Sequence, residues 1–333
     1  FDKESIPLLW SCLECLCACT AAQTDIQQGR HLGARGSNNH QTNTPQHSPR
    51  TQMVSLLGSK SMPVSTHGRL LLMELKDPST ARLDFCLTCV EKDPLSGRLK
   101  NPQGDNAWHL LAAYPASQEP FSLSLMGALM ASAPEGARAL DGSGCTPLHV
   151  ALTQHILRPA LLQLLLNTHP GAAAVANTAG LIPLFLAVMR DDTPFTLCRD
   201  LCKAHPGGPA CLNKTGSHPL HFAAKRTRPN HDILRLLLRR APEAASHVNG
   251  FGLLPLHLCV LHDDAVAARM IHEAHPEAAQ IVDRQGRTCL HLAVLHVGRD
   301  HSQAVAQEEE ELQMEWQRAN SRREEEAKGG AKG

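Results

Sequence analysis

The chain has 333 residues, with 32 Lys and Arg set against 32 Asp and Glu for a formal net charge of zero. A field that sums to nothing argues against generic nucleic-acid binding, and one Tyr, three Trp and seven Phe are too few for a typical enzyme core, so Leu and Ala carry the packing. Twelve Cys without disulfide-framework spacing point to a reducing compartment, the cytosol or nucleus, and no apolar run reaches the length of about 18 residues that a spanning helix needs.

Phe1 at the start, in place of Met, reads as a fragment or an unfinished gene model. The segment Ile6 to Ala22 is apolar and Cys-rich, broken by Glu14. Asp2 and Glu4 are wrong for the basic leader of a secretory signal. Cys12, Cys15, Cys17 and Cys19 lack a second ligand pair at metal-site spacing. The reading preferred over a leader or a metal site is a disordered or misannotated N-terminal segment, residues 1–64, outside the fold. Gln27 to Thr66, rich in Gln, Asn, His, Ser, Gly and Pro, cannot bury enough apolar surface to order itself and reads as a flexible linker.

Residues 65–300 carry one phrase at steps of 34 to 40 residues. Pro94, Pro134, Pro170, Pro206, Pro242 and Pro276 are each followed ten residues later by Gly104, Gly144, Gly180, Gly216, Gly252 and Gly286. Five residues further stand His109, His149, Phe185, His221, His257 and His291. A fixed period of this size means stacked repeats. Pro147, Pro183, Pro219 and Pro255 suit the first turn of a helix, where a missing N–H costs nothing. Asp141, Asn177, Asn213, Asn249 and Asp283, three residues before each Gly, are turn formers, and the Gly takes a positive φ. The repeated His is expected to bond backbone in its own turn. Ala151, Ala187, Ala223 and Ala293 are small because neighbouring helices approach closely. Leu-rich runs such as Leu161 to Leu166 and Ile233 to Leu238 mark a second helix in each repeat. A degenerate copy comes first, with helices over Leu70 to Leu75 and Arg82 to Lys92, and Tyr114 to Phe121 is expected to form an inserted loop. Val305 to Lys328 reads as a charged C-terminal helix with Leu312, Trp316 and Ala319 on one face, either capping the last repeat or joining a short coiled coil, before a flexible tail; residues 301–333 thus form a terminal unit.

No catalytic, cofactor or metal constellation emerges. His272-Glu273-x-His275 is one residue short of the zinc-protease spacing, and Gly58-Ser59-Lys60-Ser61 lacks the upstream Gly of a phosphate loop. Cys86-x-x-Cys89 lies on an expected helix, where packing explains it better than redox chemistry. Cys198, Cys202, His205 and Cys211 straddle a helix end and a Pro-Gly-Gly-Pro loop, a poor geometry for zinc. Asn213-Lys214-Thr215 is a formal glycosylation sequon on a repeat turn.

Thr146-Pro147-Leu148-His149-Val150-Ala151 resembles the Thr-Pro-Leu-His-x-Ala signature of the ankyrin repeat, and Ile182-Pro183-Leu184-Phe185, His218-Pro219-Leu220-His221, Leu254-Pro255-Leu256-His257 and Thr288-Cys289-Leu290-His291 are looser versions. Asn106-Ala107-Trp108-His109 lacks the proline. Most repeats here take 36 residues, longer than the family's usual period of about 33. The extra residues fall near the Pro-x-Ala-Ala segment and lengthen the loop after the second helix. The resemblance implies an all-α helix-turn-helix solenoid with β-turn fingers, six clear repeats and a degenerate first one. It further implies a non-enzymatic, monomeric scaffold that binds a protein partner on its concave face. The positions it marks for contact include apolar Leu181, Met189, Phe251, Leu253 and Leu261 and basic Arg190, Lys214, Lys225, Arg226, Arg284 and Arg287. An apolar strip with a basic rim would suit a segment with hydrophobic anchors and acidic flanks. Leu181 and Leu253 could instead pack between fingers. Three other readings stay open. One is a regulatory region of a larger enzyme, another a membrane-peripheral adaptor held by Ile6 to Ala22, and the third a metal or redox sensor.

Overall fold

A computed structural model describes residues 64–226 and 230–296, with Met314 on its own. The expectations for residues 1–63 and for the helix over Val305 to Lys328 lie outside them. The described residues form thirteen helices and no strand. In chain order these are α1 (Val64–Leu75), α2 (Leu83–Lys92), α3 (Ala107–Ala112), α4 (Glu119–Ser132), α5 (Pro147–Thr153), α6 (Pro159–Thr168), α7 (Pro183–Met189), α8 (Phe195–Ala204), α9 (Pro219–Ala224), α10 (His231–Arg240), α11 (Pro255–Leu261), α12 (Ala265–Ala274) and α13 (Cys289–His296). Each odd-numbered helix packs on the next odd one and each even helix on the next even one, so the stack has two layers. α1 and α2 cover the stretch where the spacing places the helices of a degenerate first copy. The six tandem phrases of the sequence fall at the starts of α3, α5, α7, α9, α11 and α13.

From α3 on, the odd helices are short because their ends are fixed locally. Proline opens α5, α7, α9 and α11 at the first helical position. There its absent N–H is no loss and its fixed φ favours the helix. In α3, Asn106 takes the cap role, its side chain accepting from the amide of His109. The small alanines do what the pattern requires: Ala151, Ala187 and Ala223 are buried between layers.

A short 3-10 turn follows each even helix in the interior, at Ser96–Arg98, Pro134–Arg138, Pro170–Ala174, Gly208–Ala210, Pro242–Ala245 and Pro276–Gln280. The residues that stretch the period sit here, and they are ordered structure, not slack loop. Ala172, Ala173, Ala244, Ala245 and Ala278 bury their methyls, and three pairs of turns pack on one another: Ser96–Arg98 on Pro134–Arg138, Pro134–Arg138 on Pro170–Ala174, and Gly208–Ala210 on Pro242–Ala245. Gly136 shows why one turn needs a residue without a side chain: a Cβ there would stand 2.4 Å from Cδ1 of the buried Trp108. The insertion after α3 also belongs to the core. Tyr114 donates its hydroxyl to the Leu75 oxygen (3.1 Å) and stacks on Phe121, whose ring centroid is 5.6 Å away. The insertion ends earlier than the sequence suggests, since α4 already begins at Glu119.

Candidate interaction face

Each finger is built on an Asx turn. In the finger that Asn177 opens, Asn177 Oδ1 accepts the amides of Ala179 and Leu181, both at 3.0 Å, and the Gly180 amide closes on the Asn177 oxygen at 2.8 Å. Gly180 has φ of 75°, a left-handed conformation, and a Cβ on it would lie 2.9 Å from the Lys214 amide nitrogen of the next finger. Neighbouring fingers are joined by backbone bonds: Gly142 N to Gln103 O (2.9 Å), Thr178 N to Ser143 O (3.0 Å), Lys214 N to Ala179 O (3.4 Å) and Gly250 N to Thr215 O (2.8 Å). The result is a ladder through five consecutive fingers, to which the Arg284 side chain ties the sixth by donating to the Gly250 oxygen.

In three repeats the recurring histidine has two jobs, of which sequence reasoning found one; in His257 only the first is present, Nδ1 receiving the Leu254 amide at 3.1 Å while Nε2 makes no hydrogen bond. In His149, Nδ1 receives the Thr146 amide (3.2 Å), so the proton sits on Nε2, which donates to the Leu181 oxygen of the following repeat (3.1 Å). His109 repeats this, from the Asn106 amide to the Cys145 oxygen. His221 receives the His218 amide and donates to the His247 oxygen. The ring thus caps its own helix and ties it to the next repeat. Burial disfavours the charged ring, holding the pKa of His149 down to about 4 and that of His221 to about 3.

Several of the residues marked for contact are turned inward. Leu181 and Leu253 follow the finger glycines, and with Cys145 and Ser217 at the same position they are buried. The amide of that residue is held by the Asx side chain, which directs its side chain under the adjacent finger. Leu261 is buried as well, and Phe251 packs partly against the core. The continuous apolar strip expected from Leu181, Leu253 and Leu261 is therefore absent. Met189 and Lys225 are half-buried.

Three arginines reach back to the preceding repeat. Arg158 donates to the oxygens of Leu111 and Ala112 at the end of α3. Arg190 spans the end of α5 through the oxygens of Leu152 (3.3 Å), Gln154 (2.5 Å) and His155 (3.1 Å) while gripping Asp192 with two nitrogens. That grip holds the Asp192 carboxyl below its ordinary pKa. Arg226 is buried, 3.4 Å from Asp191 through Nε, and its Nη1 and Nη2 make no hydrogen bond. Arg287 pairs with Asp283 at 2.8 Å. Arg190, Arg226 and Arg287 are thus engaged within the stack. Lys214 and Arg284 remain exposed at finger tips, Arg284 also donating to the Gly250 oxygen.

A different apolar row stands in their place. The residue just before each finger's Asp or Asn is Leu140, Ala176, Leu212, Val248 and Val282, and all five are exposed, the four larger ones by 41–49%. The finger ladder sets them side by side, one per repeat. The signal was present in the sequence at a position one step outside the phrase.

Other chemistry finds no support in the geometry. Burial pushes the thiols of Cys86 and Cys89 up to about 12 and 11, and those of Cys198 and Cys202 likewise to about 12 and 11, the reverse of reactive or metal-binding thiolates. His205 Nε2 and Cys211 Sγ do meet at 3.5 Å, away from the two core cysteines. Among the described residues no group of three or more His, Cys, Asp or Glu is placed to hold a metal ion, and no helix is long and apolar enough to cross a membrane.

A family model described as ankyrin repeats matches residues 220–309 in three copies. Residues 220–309 thus carry ankyrin repeats. No curated protein sequence matches it. Among solved structures, a chain in the complex of the Bd0816 predatory endopeptidase from Bdellovibrio bacteriovorus with immunity protein Bd3460 is similar, at 17% identity and a TM-score of 0.48, over 63% of this chain and 99% of that one.

Proposed function

We propose that this ankyrin-repeat protein is a non-enzymatic, monomeric scaffold of the cytosol or nucleus that binds a protein partner along its fingers. The observation that carries the reading is the row Leu140, Ala176, Leu212, Val248 and Val282, exposed at the same place in five consecutive repeats. One exposed apolar residue means little, but a line of them held in register by a hydrogen-bonded ladder is a surface ready for a segment with regularly spaced apolar side chains. Lys214 and Arg284, exposed on the tips beside that line, favour acidic flanks in the partner. Because the fingers are already fixed, little ordering cost falls on the scaffold when it binds.

The experiment is partner capture from cell extract, identification, and titration of the purified partner against wild type and L212S/V248S. Exposed substitutions of this kind leave stability within about 0.5 kcal/mol. Removing two apolar anchors should weaken binding by at least about tenfold, the effect of 1.4 kcal/mol. Equal affinity for a variant that melts like the wild type would move the contact off the fingers.

A further inference from the structure

The last described helix presents to solvent an apolar face that the interior repeats bury, wholly or, at Val260, in part. Leu290 is 70% exposed and Val294 66% exposed. The residues at the position of Leu290 in the four preceding repeats, Leu148, Leu184, Leu220 and Leu256, are at most 4% exposed. Leu152, Val188 and Ala224, at the position of Val294, are buried too. The cause is simple. In the interior, the next odd helix and the repeat's own even helix close this face, and among the described residues α13 has neither.

We propose that residues 301–320 of this same chain dock as a helix on the outer face of α13 and close the stack. The segment leaves directly from α13, so little chain has to be looped out to bring the two together. Val305, Leu312, Trp316 and Ala319 recur at steps of seven, four and three residues, which puts them on one side of a helix. The remainder is strongly polar, including the run Glu308 to Glu311. One apolar face and one charged face are what the end of a repeat stack requires, since only one side has a neighbour to pack on. Twenty helical residues span about 30 Å, ample to cross α13. The family match also runs on past α13 to residue 309, so the repeat pattern continues into this segment. A second copy of the protein on the same face would leave Leu312 and Trp316 of both chains without cover.

The test uses the full chain. Amide exchange of residues 289–296 is compared between wild type and L312S/W316S. The proposal expects α13 to be protected in the wild type and to lose at least tenfold in protection in the variant, while α5 to α8 exchange unchanged as proof of folding. The reciprocal variant L290S/V294S, in a W10F background where the buried Trp108 gives a constant contribution, should shift the remaining emission, that of Trp316, to the red and raise its quenching by acrylamide. Equal exchange of α13 in both proteins, or a Trp316 already fully quenchable before substitution, overturns the proposal. So does protection of α13 that appears only as protein concentration rises, which would assign the face to a second copy.

Discussion

His149 and Leu181 lie in different repeats, yet the imidazole Nε2 of the first donates to the main-chain oxygen of the second over 3.1 Å while its Nδ1 holds the Thr146 amide. No other side chain of similar size offers a donor and an acceptor on opposite edges of a rigid ring. His149→Ala removes both bonds, strands buried backbone groups and leaves a void. The expected cost is about 3 kcal/mol, the sum of an unsatisfied buried group and a modest cavity. Urea unfolding would read it as a lower midpoint.

The same buried rings set a pH dependence. Their folded pKa values, about 4 for His149 and about 3 for His221, lie below the value of about 6.5 in the unfolded chain. The unfolded state therefore binds more protons, and stability rises with pH. The contribution is complete above about pH 6.5 and is lost as pH falls toward the folded values, by up to about 1.4 kcal/mol per pH unit for each histidine. The joint between α9 and the turn at Pro242–Ala245 should give first. There His218, His221 and His247 crowd together, with the His218 and His247 ring centroids 4.6 Å apart, and His218 itself is held below the ordinary histidine range by burial and by His247, against a smaller opposite pull from Glu243. Urea midpoints at pH 7.5 and pH 5 should differ in the wild type. The gap should narrow in H218T, which places at that cap the Thr found at Thr146 and Thr288.

Arg190 and Arg226 occupy equivalent positions but should answer mutation in opposite ways. Arg190→Ala frees the oxygens of Leu152, Gln154 and His155 and should cost about 1–3 kcal/mol, with faster amide exchange over residues 154–158. Arg226 is a buried charge with one long ion pair and two idle nitrogens. Arg226→Met should be neutral or raise stability by about 1–2 kcal/mol, because the cost of burying the charge exceeds what Asp191 returns. A comparison of melting temperatures separates the two.

Leu253 and Leu212 make a similar contrast between core and surface. Leu253→Ser should cost about 2–4 kcal/mol through loss of buried apolar volume, while Leu212→Ser should stay within about 0.5 kcal/mol. If calorimetry gave both the same small effect, the inward turn of the residue after the finger glycine would be wrong.

The sequence made the architecture readable because its signals are local. Pro147 at a helix start, Asn177 three residues before Gly180 and Ala187 at a close approach each need only their own neighbourhood to be understood. The face was less readable because it depends on the neighbour. Whether Leu181 points out or in is decided by the finger beside it, which lies 32 or more residues away along the chain, as the His149 bond to Leu181 already shows. The same holds for Arg190 and Arg226, which look like free surface cations in a one-dimensional reading; in three dimensions the first is a cross-brace and the second a buried charge. The exposed row was missed for a related reason. Leu140, Leu212, Val248 and Val282 are hydrophobic, and a hydrophobic residue in a periodic pattern suggests the interior until the packing is seen.

The 3-10 turns that lengthen the repeat carry a mechanical consequence. A ribbon fastened along one margin can fan open at the other, as a book opens about its spine. This stack is fastened through the fingers by the amide ladder and, between three pairs of repeats, also by packed turns, Ser96–Arg98 on Pro134–Arg138, Pro134–Arg138 on Pro170–Ala174 and Gly208–Ala210 on Pro242–Ala245. Between those repeats neither margin can open without breaking one of the two. A partner of the wrong pitch would meet a ruler with fixed graduations, not a spring that adjusts to it.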